Sequence, residues 1–219
     1  MPIWKIYTKC LSKKQNRYFK KNAPTILFDI KTILDREGIN FWLEFGTLLG
    51  AFRENDFIKH DNDIDIAVFY SDREKIQKPL EKGGLKLVRQ FSCDEGINGF
   101  EQTYKYKGVF IDIFFFFKEN DNSMYCNTFS ALEGEVINPG DERVAVRVKK
   151  ISVPYSGFKT MTFKSAEFNI PQNTEEHLKA HYGTNFMVSN AKFDYMKEAT
   201  NVYFYPTTQR MGEVRHYNG

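Results

Sequence analysis

The chain has 219 residues, enough for one full domain, and 42% hydrophobic against 27% charged residues marks an ordinary globular protein. Its formal charge is +3, yet residues 1 to 21 hold seven basic side chains and no acid, leaving 24 basic against 28 acidic residues beyond them. That balance excludes a general nucleic-acid coat, and no apolar run reaches the ~18 residues of a membrane-spanning helix.

Cys10, Cys93 and Cys126 have no paired spacing, so neither a disulfide framework nor a cysteine zinc site is expected. Residues 1 to 21 also lack the apolar core of a signal peptide, and a reducing cytoplasm is the expected compartment. This arm, MPIWKIYTKCLSKKQNRYFKK, mixes Trp4, Ile6, Tyr7, Leu11, Tyr18 and Phe19 with its lysines. It reads either as a peripheral segment on an anionic membrane surface or as a helix packed on the domain with its basic face in water. Amphipathic helices are more commonly core-packed.

From Asn22 to Glu37, apolar residues at 26, 27, 30, 33 and 34 have helical period, with Pro24 near the start and Gly38 past the end. A strand is expected over Ile39 to Phe45, then Gly46-Thr47 and a short helical stretch, TLLGAFRE. In HDNDIDIAVF the carboxylates alternate with apolar residues. On a strand, Asp63 and Asp65 then share one face, and Ile64, Ile66 and Val68 face a core. Two like charges side by side on a half-buried strand repel, and a fold tolerates them best around a cation; Mg²⁺ favours such oxygen ligands.

Ser71-Asp72-Arg73-Glu74 has the pattern of a capping box opening a helix that Gly83-Gly84 closes. Leu85 to Phe91, Phe100 to Tyr106 and Val109 to Phe116 read as strands, with turns at Asn98-Gly99 and Lys107-Gly108. Met124 to Phe129 and Arg143 to Val153 look strand-like. Pro139-Gly140 and Ser156-Gly157 are turn signals. Asn173 to His181 reads as a short helix, and the tail from Ala191 has no clear period. The order of elements implies a mixed α/β (α+β) fold with a mixed sheet.

Asp112 is the one charge in the apolar run from Val109 to Phe117. Burying it ionised needs a metal, a positive partner or backbone donors. With Asp63 and Asp65 already paired, a metal cluster of Asp63, Asp65 and Asp112 is the favoured reading, provided the two strands are neighbours. Gly46-Thr47 at a helix start offers close backbone approach and N–H groups to a phosphate.

GTLLGAFRENDFIKHDNDIDIAV, from Gly46 to Val68, resembles the signature of the LicD/fukutin family of phosphotransferases, in the nucleotidyltransferase-fold superfamily. The turn matches Gly46-Thr47, and Leu49-Gly50, Arg53 and Phe57-Ile58 match the family pattern. Asp63, Asp65 and Asp112 match its metal aspartates. Ile170-Pro171 and HLKAHYG are similar to its C-terminal pattern. Two departures stand out: Lys59-His60 replaces a common Pro-Trp, and Asn62 interrupts a run of three aspartates. Asn62 is expected on the face opposite Asp63.

The resemblance implies a nucleotidyltransferase-like catalytic domain over residues 22–219, with its core at about 22–118 and a C-terminal β-rich and helical part beyond. It implies metal-dependent transfer of a substituted phosphate, such as phosphocholine or ribitol phosphate, from a CDP-linked donor to a carbohydrate hydroxyl. Mg²⁺ or Mn²⁺ would be the cofactor, and the basic arm would hold the chain near a lipid-linked acceptor. Asp112 is then a metal ligand or a general base. Arg53 is a phosphate ligand or a structural salt bridge. His60 and Asp61 are candidates for substrate or supporting contacts. Glu44 is a candidate for lining the site, though its alternation favours the surface. Tyr104, Tyr106, Phe110 and Phe114 either wall a pocket or pack the core, the second being commoner. Two rivals remain: a nucleotidyltransferase acting on a small molecule or a nucleic-acid end, and a non-enzymatic module stabilised by a cation.

Overall fold

In the computed structural model, residues 13–131, 143–190, 193 and 195–217 are described. The first helix among the described residues, α1 (Lys13–Arg36), is continuous across the junction expected near residue 21, with Pro24 inside it. The apolar spacing explains why. Phe19, Ala23, Ile26, Leu27, Ile30 and Leu34 are all buried along one face, and that burial outweighs the one backbone hydrogen bond a proline removes. Phe19 packs edge-on against Phe57, with ring centroids 5.2 Å apart. Arg17 and Lys21 face solvent. Residues 13–21 are therefore part of a core-packed helix. The arm's remaining residues, with Trp4, Ile6, Tyr7 and Leu11, lie outside the described residues, as does the Pro139-Gly140 turn.

Next come β1 (Phe41–Leu43), α2 (Phe45–Glu54) and β2 (Asp63–Phe69). The expected strand over 39–45 is shorter because Glu44 caps α2. A 3₁₀ turn (Tyr70–Asp72) leads into α3 (Arg73–Lys82). The helix is where the sequence placed it, but the capping box does not form: the cap position falls on Asp72 rather than Ser71, Asp72 makes no side-chain cap bond, and its Oδ1 instead accepts from Lys75 at 2.8 Å. Strands β3 (Lys86–Cys93), β4 (Phe100–Tyr106), β5 (Val109–Asn120), β6 (Ser123–Ala131) and β7 (Arg143–Pro154) follow. Lys107 and Gly108 both have positive φ, 47° and 77°, which closes the tight β4–β5 hairpin.

The C-terminal part holds strands that had no clear sequence signal. A hairpin of β8 (Phe158–Phe163) and β9 (Ala166–Pro171) precedes α4 (Thr174–Tyr182), the short α5 (Tyr195–Glu198) and β10 (Val202–His216). The ten strands run in the order β4-β3-β10-β7-β6-β5-β2-β1-β9-β8, and β4 also pairs with β5. Six of them, β4, β3, β10, β7, β6 and β5, thus close on themselves. The other four extend the sheet from β5 through the parallel β2–β5 pair. The result is a mixed α/β fold. Helices α1 and α3 pack against one another on one face of the sheet, over Ile64, Ile66, Val68, Ile111 and Ile113. A second core on the opposite face gathers Trp42, Ala67, Phe114 and Phe116.

Candidate active site

The alternation along β2 does what the sequence implied. Ile64, Ile66 and Val68 are fully buried in the main core, which leaves Asp63 and Asp65 on the other face. Strand β5 runs parallel beside it, with Asp65 directly opposite Asp112 in register. One ligand oxygen from each of Asp63, Asp65 and Asp112 lies within 4.8 Å of the others. The three residues are 6%, 4% and 2% exposed. Burial, followed by the charges of Asp63, Asp112 and Asp61, pushes the Asp65 carboxyl well above its ordinary range. Burial also raises Asp112, against the opposing Arg89 charge and the Thr103 hydroxyl. Such a cluster is costly unless something positive joins it.

The chain supplies part of that compensation. Thr103 Oγ1 donates to Asp112 Oδ1 at 2.6 Å. Arg89 sits 3.9 Å from the same oxygen and 2.7 Å from Glu101. Thr128 Oγ1 donates to Glu101 Oε2 at 3.3 Å. Arg89, Glu101, Thr103 and Thr128 lie on three different strands of the closed ring, so no local pattern announced them.

Gly46 and Thr47 hold the acidic strand in place. Gly46 N–H donates to Asp65 Oδ2 at 3.0 Å, and Asp65 N–H donates to Thr47 Oγ1 at 2.9 Å. Gly46 is required by close approach: a Cβ there would stand 2.5 Å from Asp61 Oδ2 and 3.1 Å from Asp65 Oδ2. Thr47 is 2% exposed, turned to the strand. Just before them, Phe45 has a φ of 42°, a left-handed conformation that a bulky residue adopts only under constraint.

A cavity of about 1130 Å³ opens beside the acids. Gly46, Arg53, His60, Asp61, Asp63 and Asp65 line it, together with Phe114, Thr128 and Lys149. Arg53 donates from Nη2 to Glu54 at 2.6 Å and from Nη1 to the Phe186 carbonyl at 3.1 Å; it is a salt-bridged residue on the cavity wall. His60 is exposed at the rim. The Asp61 carbonyl accepts from Asn16 at 3.0 Å, and Asn62 Oδ1 accepts from the same amide at 3.2 Å, so α1 braces this loop. Of the four aromatic candidates, Phe114 alone lines the cavity among the described residues. Tyr104 is in the core, Tyr106 packs against it and Phe110 is 37% exposed.

Glu44 corrects the sequence reading. It was expected at the surface and is fully buried. The reason lies 133 residues away: His177 Nε2 is 2.8 Å and His181 Nε2 3.0 Å from its Oε1. Burial alone would raise the Glu44 carboxyl, but the two imidazoles outweigh it and hold the group well below the carboxylate range. The His-x-x-x-His spacing in HLKAHYG, which puts both rings on one helix face, was the available signal. Lys149, 2% exposed on β7, was also missed.

The model of the LicD/FKTN/FKRP family, nucleotidyltransferase domain, matches residues 38–173. The chain belongs to this family. Ribitol-5-phosphate transferase FKTN of Homo sapiens and that of Macaca fascicularis are each 26% identical to it over 186 residues, 84% of this chain and 37% of theirs. Ribitol 5-phosphate transferase FKRP of Homo sapiens is 32% identical over 69 residues, 31% of this chain and 14% of that protein. The chain thus spans little more than a third of the fukutins it matches. Among solved structures, the lincomycin-bound lincosamide antibiotic adenylyltransferase LnuA superposes with a TM-score of 0.40 at 15% identity, over 74% of this chain and 81% of its own.

Proposed function

We propose that this LicD-family chain transfers a substituted phosphate, such as a polyol phosphate or phosphocholine, from a CDP-linked donor to a sugar hydroxyl of a cell-surface glycan. The observation that carries the proposal is the convergence of Asp63, Asp65 and Asp112, two of which line a cavity. The kinship with ribitol-phosphate transferases supports phosphate transfer over the alternatives.

The donor set is all carboxylate, which suits Mg²⁺ or Mn²⁺. Three buried acids this close fit a cation better than they fit one another. When bound there, such an ion neutralises charge on the donor phosphate oxygens. Asp63 and Asp65 reach the cavity directly. Asp112 sits behind them, locked by Thr103 and absent from the cavity wall. A general base needs hydrogen-bond reach to the acceptor hydroxyl, so Asp112 is assigned as a ligand. Thr47 acts as a positioning residue for Asp65. Gly46 leaves room for the Asp61 and Asp65 carboxylates and holds Asp65 through its N–H. Arg53 and Lys149 place positive charge on the wall of the cavity, where the diphosphate would lie.

The test is turnover with CDP-ribitol, CDP-glycerol and CDP-choline, against free nucleoside triphosphates, with Mg²⁺ or Mn²⁺. Consumption of one cytidine donor, lost by on the order of 10²-fold or more in Asp63→Asn, is expected. Turnover of triphosphates alone would replace this reading with nucleotidyl transfer. No turnover of any donor, with Asp63→Asn altering stability only, would favour a cation-stabilised binding module.

A further inference from the structure

We infer that the chain carries a second metal site, built by Glu44, His177 and His181, for a zinc-class transition metal. It is chemically distinct from the aspartate cluster and does not depend on the transferase reading. All three side chains are fully buried. Their ligand atoms converge: the two Nε2 atoms lie 2.8 and 3.0 Å from Glu44 Oε1 and 3.3 Å from each other. Ligands around a tetrahedral zinc at ~2.0–2.1 Å stand about 3.3 Å apart. The triangle is already near that size, and a few tenths of an ångström of outward movement at Glu44 completes it.

The surroundings are those of a metal site. Trp42 Nε1–H donates to Glu44 Oε2 at 2.6 Å, fixing the carboxylate. His181 Nδ1 lies 2.7 Å from the Tyr195 hydroxyl and 3.1 Å from the Asn201 amide. Both side chains can turn an oxygen toward an Nδ1–H, which is how a ligating histidine is oriented. A metal-free hydrogen-bond network points two N–H groups at a single carboxylate oxygen while the two Nε2 atoms stand only 3.3 Å apart.

Two imidazoles and a carboxylate select zinc, cobalt or nickel over magnesium. Three protein ligands leave one position of a tetrahedral ion for a water. None of the three residues lines the cavity, and the Phe45 ring packs against His181 at 4.8 Å. The role that follows is mechanical. Glu44 caps α2 immediately before Gly46-Thr47, and its backbone N–H donates to the Asp65 carbonyl at 3.3 Å. A metal here ties α4 to the turn that positions Asp65.

The experiment uses the full chain carrying Asp63→Asn and Asp112→Asn, so that the acidic cluster cannot contribute. After chelator treatment it is titrated with Zn²⁺ and, separately, with Co²⁺. One equivalent of zinc is expected, with X-ray absorption showing two imidazole ligands and the cobalt form absorbing in the visible as a four-coordinate ion. His181→Gln is expected to weaken zinc by more than the ~10–100-fold typical of losing an outer partner. If that variant does not fold, the imidazole count on the zinc-loaded chain still decides. No zinc uptake, or uptake with an all-oxygen shell, or uptake unchanged in a folded His181→Gln chain, would overturn the proposal.

Discussion

Lys149 places an ammonium on β7, 2% exposed, at the wall of the cavity. Burial pulls it down to about 8, against the opposing charges of Glu101 and Cys126. The consequence for stability has a definite sign. Below pH 8 the folded and unfolded chains both hold this proton, and the cost of the buried charge is fully present. Between about 8 and the ordinary lysine value of ~10.4, the unfolded chain holds more protons, so stability rises with pH. At ~1.4 kcal/mol per unit the total is about 3 kcal/mol. Urea unfolding at pH 7.5 and pH 10 should show the wild type gaining on Lys149→Met by roughly that amount. A difference between the two proteins that does not change with pH would show that the fold leaves this lysine unperturbed. Nothing in RVKKIS marks Lys149 as the inward one of the pair; the register with β6 and β10 decides that.

At the scale of elements, α1 keeps Pro24 in its interior. The ring denies the Lys20 carbonyl its intrahelical donor, which costs up to ~3 kcal/mol in a helix interior. Against that, proline restricts the unfolded chain by ~0.4–1 kcal/mol. Pro24→Ala should therefore stabilise the protein by about 1–2 kcal/mol in a denaturant titration; destabilisation would mean that the proline ring itself contributes packing that alanine cannot replace. Most of α1 was legible from its 3.6-residue apolar period, and α3 and α4 from boundary signals, each of the three helices having a glycine after its end. Strands β2, β4 and β5 were legible from alternation or from an unbroken apolar run. Strand β10 was not: its partners β3 and β7 lie far upstream, and a strand whose pairing is that remote carries little local signature. Glu44 failed for the same reason, since its alternation says where it points but not that two histidines wait there.

For the molecule as a whole, the six-strand closure and the parallel β2–β5 pair bring three acids together at the expense of mutual repulsion. Metal-free protein should therefore be less stable than its core would allow. Millimolar Mg²⁺ is expected to raise the melting temperature, since a ligand at 100 times its Kd adds ~2.7 kcal/mol. Asp65→Asn should melt higher than wild type without Mg²⁺, keep the Gly46 hydrogen bond through its amide oxygen, and lose the Mg²⁺ response. Calorimetry showing no Mg²⁺ shift in the wild type, with Asp65→Asn less stable, would mean the acids are satisfied by protein groups alone.

What sequence alone determined here is local. Spacing put Asp63 and Asp65 on one side of a strand and three aliphatics on the other, and a glycine-threonine pair at a helix start marked the segment beside them. That much follows from periodicities of 2 and 3.6, which any short window contains. The tertiary structure decided everything that depends on distant segments meeting. It set Asp112 opposite Asp65, folded Arg89 and Lys149 inward, and buried Glu44 against His177 and His181. Those outcomes rest on which strands pair and in what register, and no window of sequence shorter than the fold contains that choice.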